Sequence, residues 1–495
     1  MAALTRRTFV AGTAVIPFAV WFERYARAAG PFVRYDARSA KGQAMLKVYA
    51  KAVRSMKTHS LYPEGDPRGW TFQWYSHFVK GSTNKAAELA RIYPSPTAWK
   101  ALATAMWDTC QAHSGQREDF FLPWHRMFVY FFEQIIRKVS GDASFTLPYW
   151  DYTKTGSTYA VIPPDFTKAG DPTYGPLFVK ERNTGVNAGN PIAAPGDLNL
   201  DALKECNYSQ NGAVEGFCLK LDSELHGSVH DDTGNGMNMA SIEWAANDPV
   251  FWAHHCNIDR LWASWNAAGR KNPTDSSFLL KKFVFADTNG NKVEATVQDF
   301  LDITKLGYSY ERLERVPACL TNKSSHLASA LSGARTLALL KTSVTLGAAP
   351  VSTTLDLKPL AGAPAAAAAQ TFAKAVTAMV PERNLYLVLK GLKADVRPGV
   401  LYDVYLQLPK GTAPRQGTEY RAGIVSFFDT GHGDHSVEGA GTEPKFVSFE
   451  ITDLVSRLAG KKRLDSGQLE LTLAPLGTPA ANSRPVIGEI SVVEQ

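Results

Sequence analysis

The histidines of this chain are unevenly spread, and their grouping limits the folds that accommodate them. Eight of the 11 histidines lie between His59 and His255, in a region that is rich in aromatic residues. A buried imidazole among apolar rings needs a hydrogen-bond partner or another ligand. We therefore expect the first half of the chain to contain a shared, aromatic-lined site.

The same region has the pattern of helices joined by long loops. Residues 45–56 have their apolar side chains at helical spacing. A second helix is predicted from Pro123 to about residue 139, because proline is tolerated in the first turn. A third is predicted from Asp248 to about residue 267, with Asp248 as its N-cap. Residues 153–215 are rich in Gly, Pro, Asn and Thr, which indicates a long surface excursion.

The composition changes after about residue 315. An Ala- and Pro-rich stretch at 361–369 indicates a linker or loop. Turn residues then separate short segments with strand-like patterns, at 385–389, 400–405, 446–449 and 469–473. This spacing predicts a separate all-β domain, either a sandwich or a barrel.

Two pairs of histidines have spacings that bear on metal binding. His226 and His230 are four residues apart, so on a helix both imidazoles reach the same metal ion. Taken alone, a solvated helix face explains this pair equally well. Gly227 stands where the HExxH motif of zinc proteases has its glutamate. His254 and His255 are adjacent and about 100° apart on a helix, so only one is expected to join a given metal centre.

Three further histidines, His77, His113 and His125, lie upstream among aromatic residues. Any one of them is better explained as a core histidine bonded to the backbone. Together, in a region with almost no competing clusters of cysteines or carboxylates, they predict metal binding. Imidazole is a good ligand for copper and zinc, and neutral nitrogen ligands allow copper to change its oxidation state.

Two long segments resemble the copper motifs of the type 3 copper proteins, which are the tyrosinases, catechol oxidases and molluscan haemocyanins. They are Phe-Leu-Pro-Trp-His-Arg at 121–126 and Asp-Pro-Val-Phe-Trp-Ala-His-His-Cys-Asn-Ile-Asp-Arg-Leu-Trp at 248–262. The resemblance covers about residues 34–310 and implies two copper ions as cofactors. It implies that copper A is bound by His77, His113 and His125. It implies that copper B is bound by His226, His230 and His255.

The resemblance also implies a multidomain α + β fold. A mainly α-helical catalytic domain surrounds the dicopper site with a four-helix bundle, and an all-β sandwich or barrel domain follows and shields the site. Together with the N-terminal motif and the composition, the resemblance predicts four parts. Residues 1–29 are a twin-arginine-type signal peptide and 30–315 the catalytic domain. Residues 316–370 are a linker with the start of the C-terminal domain, and 371–495 are the β-rich shielding domain. The segment 305–310 resembles the tyrosine motif that closes the catalytic domain, with Arg34 near it.

The activity implied is that of a tyrosinase or polyphenol oxidase. Such an enzyme uses O2 to hydroxylate monophenols at the ortho position and to oxidise o-diphenols to o-quinones. Phe251, His255 and Gly227 match positions that contact substrate. Family members that hydroxylate monophenols well often have Asn in place of Gly227. The glutamate that orients a water in the family is replaced or supplied here by one of three candidate catalytic acids: Asp222, Glu224 or Glu215.

These departures leave alternatives open. A catechol oxidase restricted to diphenols would share every copper ligand. A haemocyanin-like oxygen carrier and a zinc hydrolase are more distant possibilities. Cys110 stands three residues before His113, whereas the cysteine that fungal members link to this histidine stands two before it, so a thioether here is an open question. Cys206 and Cys218 either form a disulfide or stay as thiols, and the odd total of five cysteines leaves at least one unpaired or modified.

The N-terminus resembles an export signal. Residues 5–10 resemble a twin-arginine motif, and the apolar run at 9–21 is short for a membrane span but suits a signal peptide, with cleavage expected near 26–28. We expect a periplasmic or secreted protein without a stable membrane anchor; an uncleaved basic helix is the alternative. A net charge of +6 without basic runs predicts no nucleic-acid partner. The expected partners are O2 and small phenols, and a homo-oligomer is left open.

Overall fold

Two hydrophobic cores follow one another along the chain, one in a helical region and one in a β-rich region. The computed structural model describes residues 16–25, 31–111, 119–319, 335–357, 384–428, 430, 445–464 and 468–495. Within these ranges most helices precede residue 280 and most strands follow it. The multidomain α + β fold predicted from the sequence is confirmed.

The helical domain contains eleven described α-helices and five short strands. The helices are α1 (Phe18–Tyr25), α2 (Ala40–Met56), α3 (Trp70–His77), α4 (Lys85–Ile92), α5 (Ala98–Met106), α6 (Phe121–Ser140), α7 (Phe217–Lys220), α8 (Gly227–Thr233), α9 (Ile242–Ala245), α10 (Val250–Ala267) and α11 (Ser276–Leu279). A π-helical turn, Leu221–His226, joins α7 to α8. The strands are β1 (Ile16–Pro17), β2 (Phe32–Arg34), β3 (Lys282–Ala286), β4 (Lys292–Thr296) and β5 (Tyr308–Tyr310).

The three helices predicted from the sequence are present as α2, α6 and α10. The Ser39 side chain caps α2 by accepting a hydrogen bond from the Gly42 amide. Helix α6 ends where Gly141 takes a left-handed conformation with φ of 75°. The N-cap position of α10 is Pro249, one residue later than expected, but the Asp248 carboxylate still accepts a hydrogen bond from the Val250 amide at 3.0 Å. Helix α6 packs against both α2 and α10.

A buried charge network joins the two ends of the helical domain. Strand β2 pairs in parallel with β5. The Arg34 guanidinium donates hydrogen bonds to Glu133 at 2.9 Å and to Asp259 at 3.1 Å. It also contacts the Tyr310 hydroxyl at 3.0 Å, and Tyr308 donates to Asp259 at 2.7 Å. The expected closure of the domain by the tyrosine motif and Arg34 is confirmed.

The C-terminal region is a sandwich of two four-stranded antiparallel sheets with a core between them. Its strands are β6 (Arg335–Leu340), β7 (Val344–Thr345), β8 (Val351–Asp356), β9 (Leu385–Lys390), β10 (Tyr402–Leu406), β11 (Arg421–Val425), β12 (Phe446–Glu450), β13 (Gln468–Pro475), β14 (Val486–Ile487) and β15 (Glu489–Glu494), with helix α12 (Thr452–Gly460). The sheets have the orders β11-β10-β13-β8 and β12-β9-β15-β6. Three strands lie at 335–356, in the range assigned from the sequence to the linker and the start of this domain.

The segment assigned from the sequence to the signal peptide is partly described. Strand β1 pairs in parallel with β4, and the Phe18 ring packs on Phe300 at 4.5 Å between centroids. Residues 5–10 and 26–28, which carry the twin-arginine motif and the expected cleavage site, lie outside the described residues. A search of the described helices finds none with the length and hydrophobicity of a membrane span.

Candidate metal centre

Histidines from four helical segments converge in the core of the helical domain. His77 ends α3, His125 lies in the second turn of α6, and His226 and His230 lie on the π-helical turn and α8. His255 lies in the second turn of α10. All five are buried, with 1–2% of their surface exposed. The structure therefore brings together five of the six histidines that the sequence predicts as copper ligands.

Backbone carbonyls hold the rings of most of these histidines in place. The Nδ1 atoms lie 3.1 Å from the Ile242 carbonyl for His77 and 2.9 Å from the Phe121 carbonyl for His125. The Nδ1 atom of His230 lies 2.6 Å from the Met239 carbonyl. A carbonyl only accepts, so each Nδ1 carries the proton and each Nε2 keeps its lone pair for a metal ion.

The first group of possible metal ligands comprises His226, His230, His254 and His255, whose ligand atoms all lie within 4.8 Å of one another. Both adjacent histidines belong to this group, and the expectation that only one of them joins the metal centre stays a prediction. The assignment of His255 as the ligand stays a prediction.

One observation supports His255. Its ring stacks on His125 at 4.2 Å between centroids and also lies 5.1 Å from His226, so it contacts histidines of both predicted triplets. The His254 ring contacts His226 at 5.3 Å and packs against Tyr152.

The second group comprises His77, Cys110 and His125. The Cys110 sulfur lies 3.5 Å from Nε2 of His125. Sequence analysis connected this cysteine with His113 alone and gave no sign that it approaches His125. His113 lies outside the described residues, so its place as a ligand stays a prediction and its link to Cys110 stays an open question.

The chemistry of both groups fits copper. Burial, together with neighbouring histidines, holds the pKa of His230 and of His255 well below the ordinary value, so both rings are neutral. Within the described part of the chain, Nε2 of His230 and both ring nitrogens of His255 have no hydrogen-bond partner. Buried nitrogen lone pairs without a partner are costly unless an ion takes them. Neutral imidazoles are ligands that copper accepts in both oxidation states.

The three candidate acids occupy different places. An Asp222 carboxylate oxygen lies 2.9 Å from Nδ1 of His226, so this acid contacts a predicted ligand. Glu224 forms an ion pair with Lys220 at 2.7 Å. Glu215 accepts hydrogen bonds from Ser223 and from the Ser448 amide of β12, at 2.6 and 2.7 Å. Glu215 and Glu224 are therefore engaged around Lys220 and the C-terminal domain.

The predicted substrate-contacting residues lie around the histidines. The Phe251 ring packs on His255 at 4.2 Å and on His77 at 5.0 Å. The ring of His255 thus lies in contact with both His125 and Phe251. Gly227 faces the C-terminal domain, because a Cβ atom placed on it would lie 3.0 Å from the Ser426 hydroxyl.

Phe428 is a site residue that sequence analysis did not identify. It follows β11 in the C-terminal domain, and its ring stacks on His230 at 4.3 Å with 14° between the planes. The Phe428 carbonyl accepts a hydrogen bond from Arg397 at 2.8 Å, and Arg397 forms an ion pair with Glu243 of α9 at 3.0 Å. The aromatic pair at 427–428 was the only local signal in the sequence.

Comparisons with known proteins match the helical domain to a described family. The family model described as the common central domain of tyrosinase matches residues 68–195 and 193–268, and the polyphenol oxidase middle domain matches 272–320. Residues 334–495 match a domain of unknown function, DUF7868.

Individual relatives extend these matches. The tyrosinase HcTyr1 of Hahella sp. (strain CCB-MM4) is 28% identical over 476 residues, which cover 90% of this chain and 96% of that protein. The aureusidin synthase of Antirrhinum majus is 30% identical over 276 residues, covering 46% of this chain and 49% of that protein. The solved structure of latent apple tyrosinase has a TM-score of 0.59 at 22% identity, covering 97% of this chain and 100% of that chain. A latent aurone synthase has a TM-score of 0.61 at 18% identity, with coverages of 94% and 90%.

The two structural likenesses, at their low identities, show the fold alone. The domain matches and the similarity to HcTyr1 along nearly its whole length agree with the buried histidine groups and with the copper motifs of the sequence. This chain belongs to the type 3 copper family of tyrosinases and polyphenol oxidases, and it is an oxidoreductase with a two-copper centre.

Proposed function

We propose that this chain oxidises o-diphenols to o-quinones and, more slowly, hydroxylates monophenols at the ortho position. Copper A would be held by His77, His113 and His125, and copper B by the triplet His226, His230 and His255. The single observation that supports this proposal best is the pair of buried ligand groups, which face each other through the stacked rings of His125 and His255, 4.2 Å apart.

Two copper ions, when bound, supply the redox chemistry that activates O2 and withdraws electrons from the phenol. The chain holds the imidazole rings by hydrogen bonds from Nδ1, so that their Nε2 atoms stay oriented before substrate arrives. Phe121 and Phe251 pack on the histidine rings and exclude water from the centre. An aromatic substrate ring would stack on the face of one of these imidazoles.

His230 offers the imidazole face for that substrate ring. Both His125 and Phe251 already contact the His255 ring, whereas the ring stacked on His230 is supplied by the C-terminal domain. We therefore place the phenol where the Phe428 side chain lies. In this arrangement the C-terminal domain shields the site, and its displacement is required for full activity.

The weak monophenol activity follows from the placement of the acids. Glu215 and Glu224 are engaged with Ser448 and Lys220, so Asp222 is the remaining candidate for orienting the water that accepts the phenol proton. The Asp222 carboxylate also contacts His226, and this contact restricts the orientation of the carboxylate. A catechol oxidase restricted to diphenols is the second candidate function, because this placement leaves only Asp222 to accept the phenol proton.

The test is oxygen uptake and quinone formation by the copper-loaded full chain, with catechol and with tyramine, for the natural chain and for Phe428→Ala. Phe428→Ala should raise kcat/KM on catechol by several-fold or more, with a smaller rate on tyramine. Val396→Ala is the control, because this side chain is 51% exposed in the same domain. Quinone formation on catechol alone would indicate a catechol oxidase. No oxygen uptake with either substrate in either variant would contradict the proposal.

Export through the twin-arginine pathway is also a proposal. It is supported by the motif at residues 5–10 and the following apolar run. If cleavage occurs near residue 28, the mature protein lacks Phe18, and its partner Phe300 loses a ring contact. Sequencing the N-terminus of protein recovered from the periplasm or medium tests this. An uncleaved N-terminus on cytoplasmic enzyme would contradict it.

A further inference from the structure

Two distant segments of the helical domain meet on the side chain of Arg270, which follows α10. Its guanidinium donates to the Glu205 carbonyl and to the Pro317 carbonyl, each at 2.6 Å. It also donates to the carbonyl of Leu203. One cation thus holds residues 203–205 beside residue 317.

The hydrogen bonds from Arg270 place two cysteines side by side. Cys206 directly follows Glu205, and Cys319 lies two residues after Pro317. The two thiols are within hydrogen-bond contact of each other, and both are partly exposed to solvent. The sequence had suggested Cys218 as the partner of Cys206, but the Cys218 thiol is buried and contacts the Tyr208 hydroxyl.

We propose that Cys206 and Cys319 form a disulfide bond in the mature protein. The reaction removes one proton from each thiol and two electrons in all, and the acceptor is a small disulfide such as oxidised glutathione, which becomes two thiols. Burial, together with the contact with Cys319, raises the pKa of the Cys206 thiol. One thiolate attacks the small disulfide and releases one glutathione thiol, and the second cysteine then displaces the other glutathione from the mixed disulfide.

The bond would stabilise the copper B half of the domain. The loop that it closes runs from residue 206 to residue 319 and includes the triplet His226, His230 and His255. It also includes Tyr310, through which β5 contacts Arg34. Closing a loop of this length restricts the unfolded chain far more than the folded one, so the bond resists unfolding.

Peptide mapping tests the pairing directly. The full chain is equilibrated with oxidised glutathione, its free thiols are alkylated, and it is digested without reduction. We expect one cross-linked peptide that joins Cys206 to Cys319, together with alkylated Cys218 and Cys256. Alkylation of Cys206 and Cys319, or a peptide that joins Cys206 to Cys218, would overturn the proposal.

Thermal unfolding gives a second, independent readout. A reducing agent should lower the unfolding temperature of the natural chain by several degrees. Cys206→Ser and Cys319→Ser should share the lower temperature and should not respond to the reducing agent. Cys218→Ala, the matched control, should keep the response. If Cys206→Ser responds as strongly as the natural chain, the bond does not involve Cys206.

Discussion

The ring of Phe428 lies flat on the imidazole of His230, with 4.3 Å between the ring centroids and 14° between the planes. One residue belongs to the C-terminal domain and the other to the predicted copper B triplet. Arg397 continues the connection, because it binds the Phe428 carbonyl and forms an ion pair with Glu243 of the helical domain. Arg397 therefore links the stacking of Phe428 on His230 to the ion pair between the two domains.

Breaking the pair of Arg397 and Glu243 should increase activity. Both side chains are mostly buried, at 15% and 14% exposure, so removing one partner leaves an unpaired charge at the interface. We expect Arg397→Gln and Glu243→Gln each to raise kcat/KM of the full chain on catechol by several-fold. The double variant should gain little more, because the two residues act together.

The matched control is Glu419→Gln, which removes an exposed ion pair with Lys461 in the same domain. It should leave the kinetics unchanged. Strictly additive gains in the double variant, or equal gains from the control, would show that Arg397 does not hold Phe428 in place.

Adding a side chain at Gly227 should also displace the C-terminal domain. The new Cβ atom would lie 3.0 Å from the Ser426 hydroxyl, which is tighter than ordinary contact. A strain of about 1 kcal/mol at this contact would increase the displaced population about fivefold. Gly227→Ala should therefore raise activity on catechol by about that factor.

The control for this prediction is Ser426→Ala, which removes the crowded oxygen and leaves a contact at 3.5 Å. Ser426 also donates to Asp231 at 2.7 Å, so this variant changes activity by itself. The decisive comparison is the effect of Gly227→Ala in the Ser426→Ala background, which should be smaller. An equal effect in both backgrounds would contradict the steric explanation.

Asp259 should be essential for stability. Burial alone would raise the pKa of the Asp259 carboxyl. The guanidinium groups of Arg126 and Arg34 nevertheless hold this pKa below its ordinary value. Asp259→Asn leaves two buried cations short of a counter-charge and should lower the free energy of unfolding by about 3–5 kcal/mol. Chemical denaturation of the apo protein measures this. A loss no larger than that of the surface variant Glu419→Gln would contradict the role of this network.

Glu205 should make stability depend on pH. Burial raises its pKa to about 7, in spite of the attraction of Lys220. Besides Lys220, the charged groups that face it are Glu215, Asp201 and Arg270. Because the folded state holds the proton more tightly than the unfolded state, the stabilisation is complete below about pH 4.5 and is lost as the pH rises through about 7.

Between about pH 4.5 and 7, the free energy of unfolding of the natural chain should fall by on the order of 3 kcal/mol because of Glu205. Glu205→Gln should remove this pH dependence. Denaturation midpoints measured across this range, for the natural chain and the variant, test the prediction. Parallel curves for the two proteins would show that Glu205 does not titrate in this way.

Much of the helical domain was predictable because its signals are local. The apolar spacing that predicted α2 and the proline in the first turn of α6 act within a few residues, and so do the motifs around His125 and His255. The strands β9, β10, β12 and β13 likewise follow from alternation within short segments.

Two of the contacts that sequence analysis missed join residues far apart in the chain. Phe428 reaches His230 across nearly 200 positions, and Cys206 reaches Cys319 only because Arg270 binds both segments. In neither pair does the local sequence around one residue indicate its contact with the other.

The most direct test of the central proposal is the copper content of the purified, exhaustively loaded full chain, measured by elemental analysis and compared with His230→Asn. The two ligand groups predict two copper ions per natural chain and close to one in the variant, whose copper A group is intact. Two copper ions in the variant, or zinc in place of copper in an active natural enzyme, would contradict the proposal.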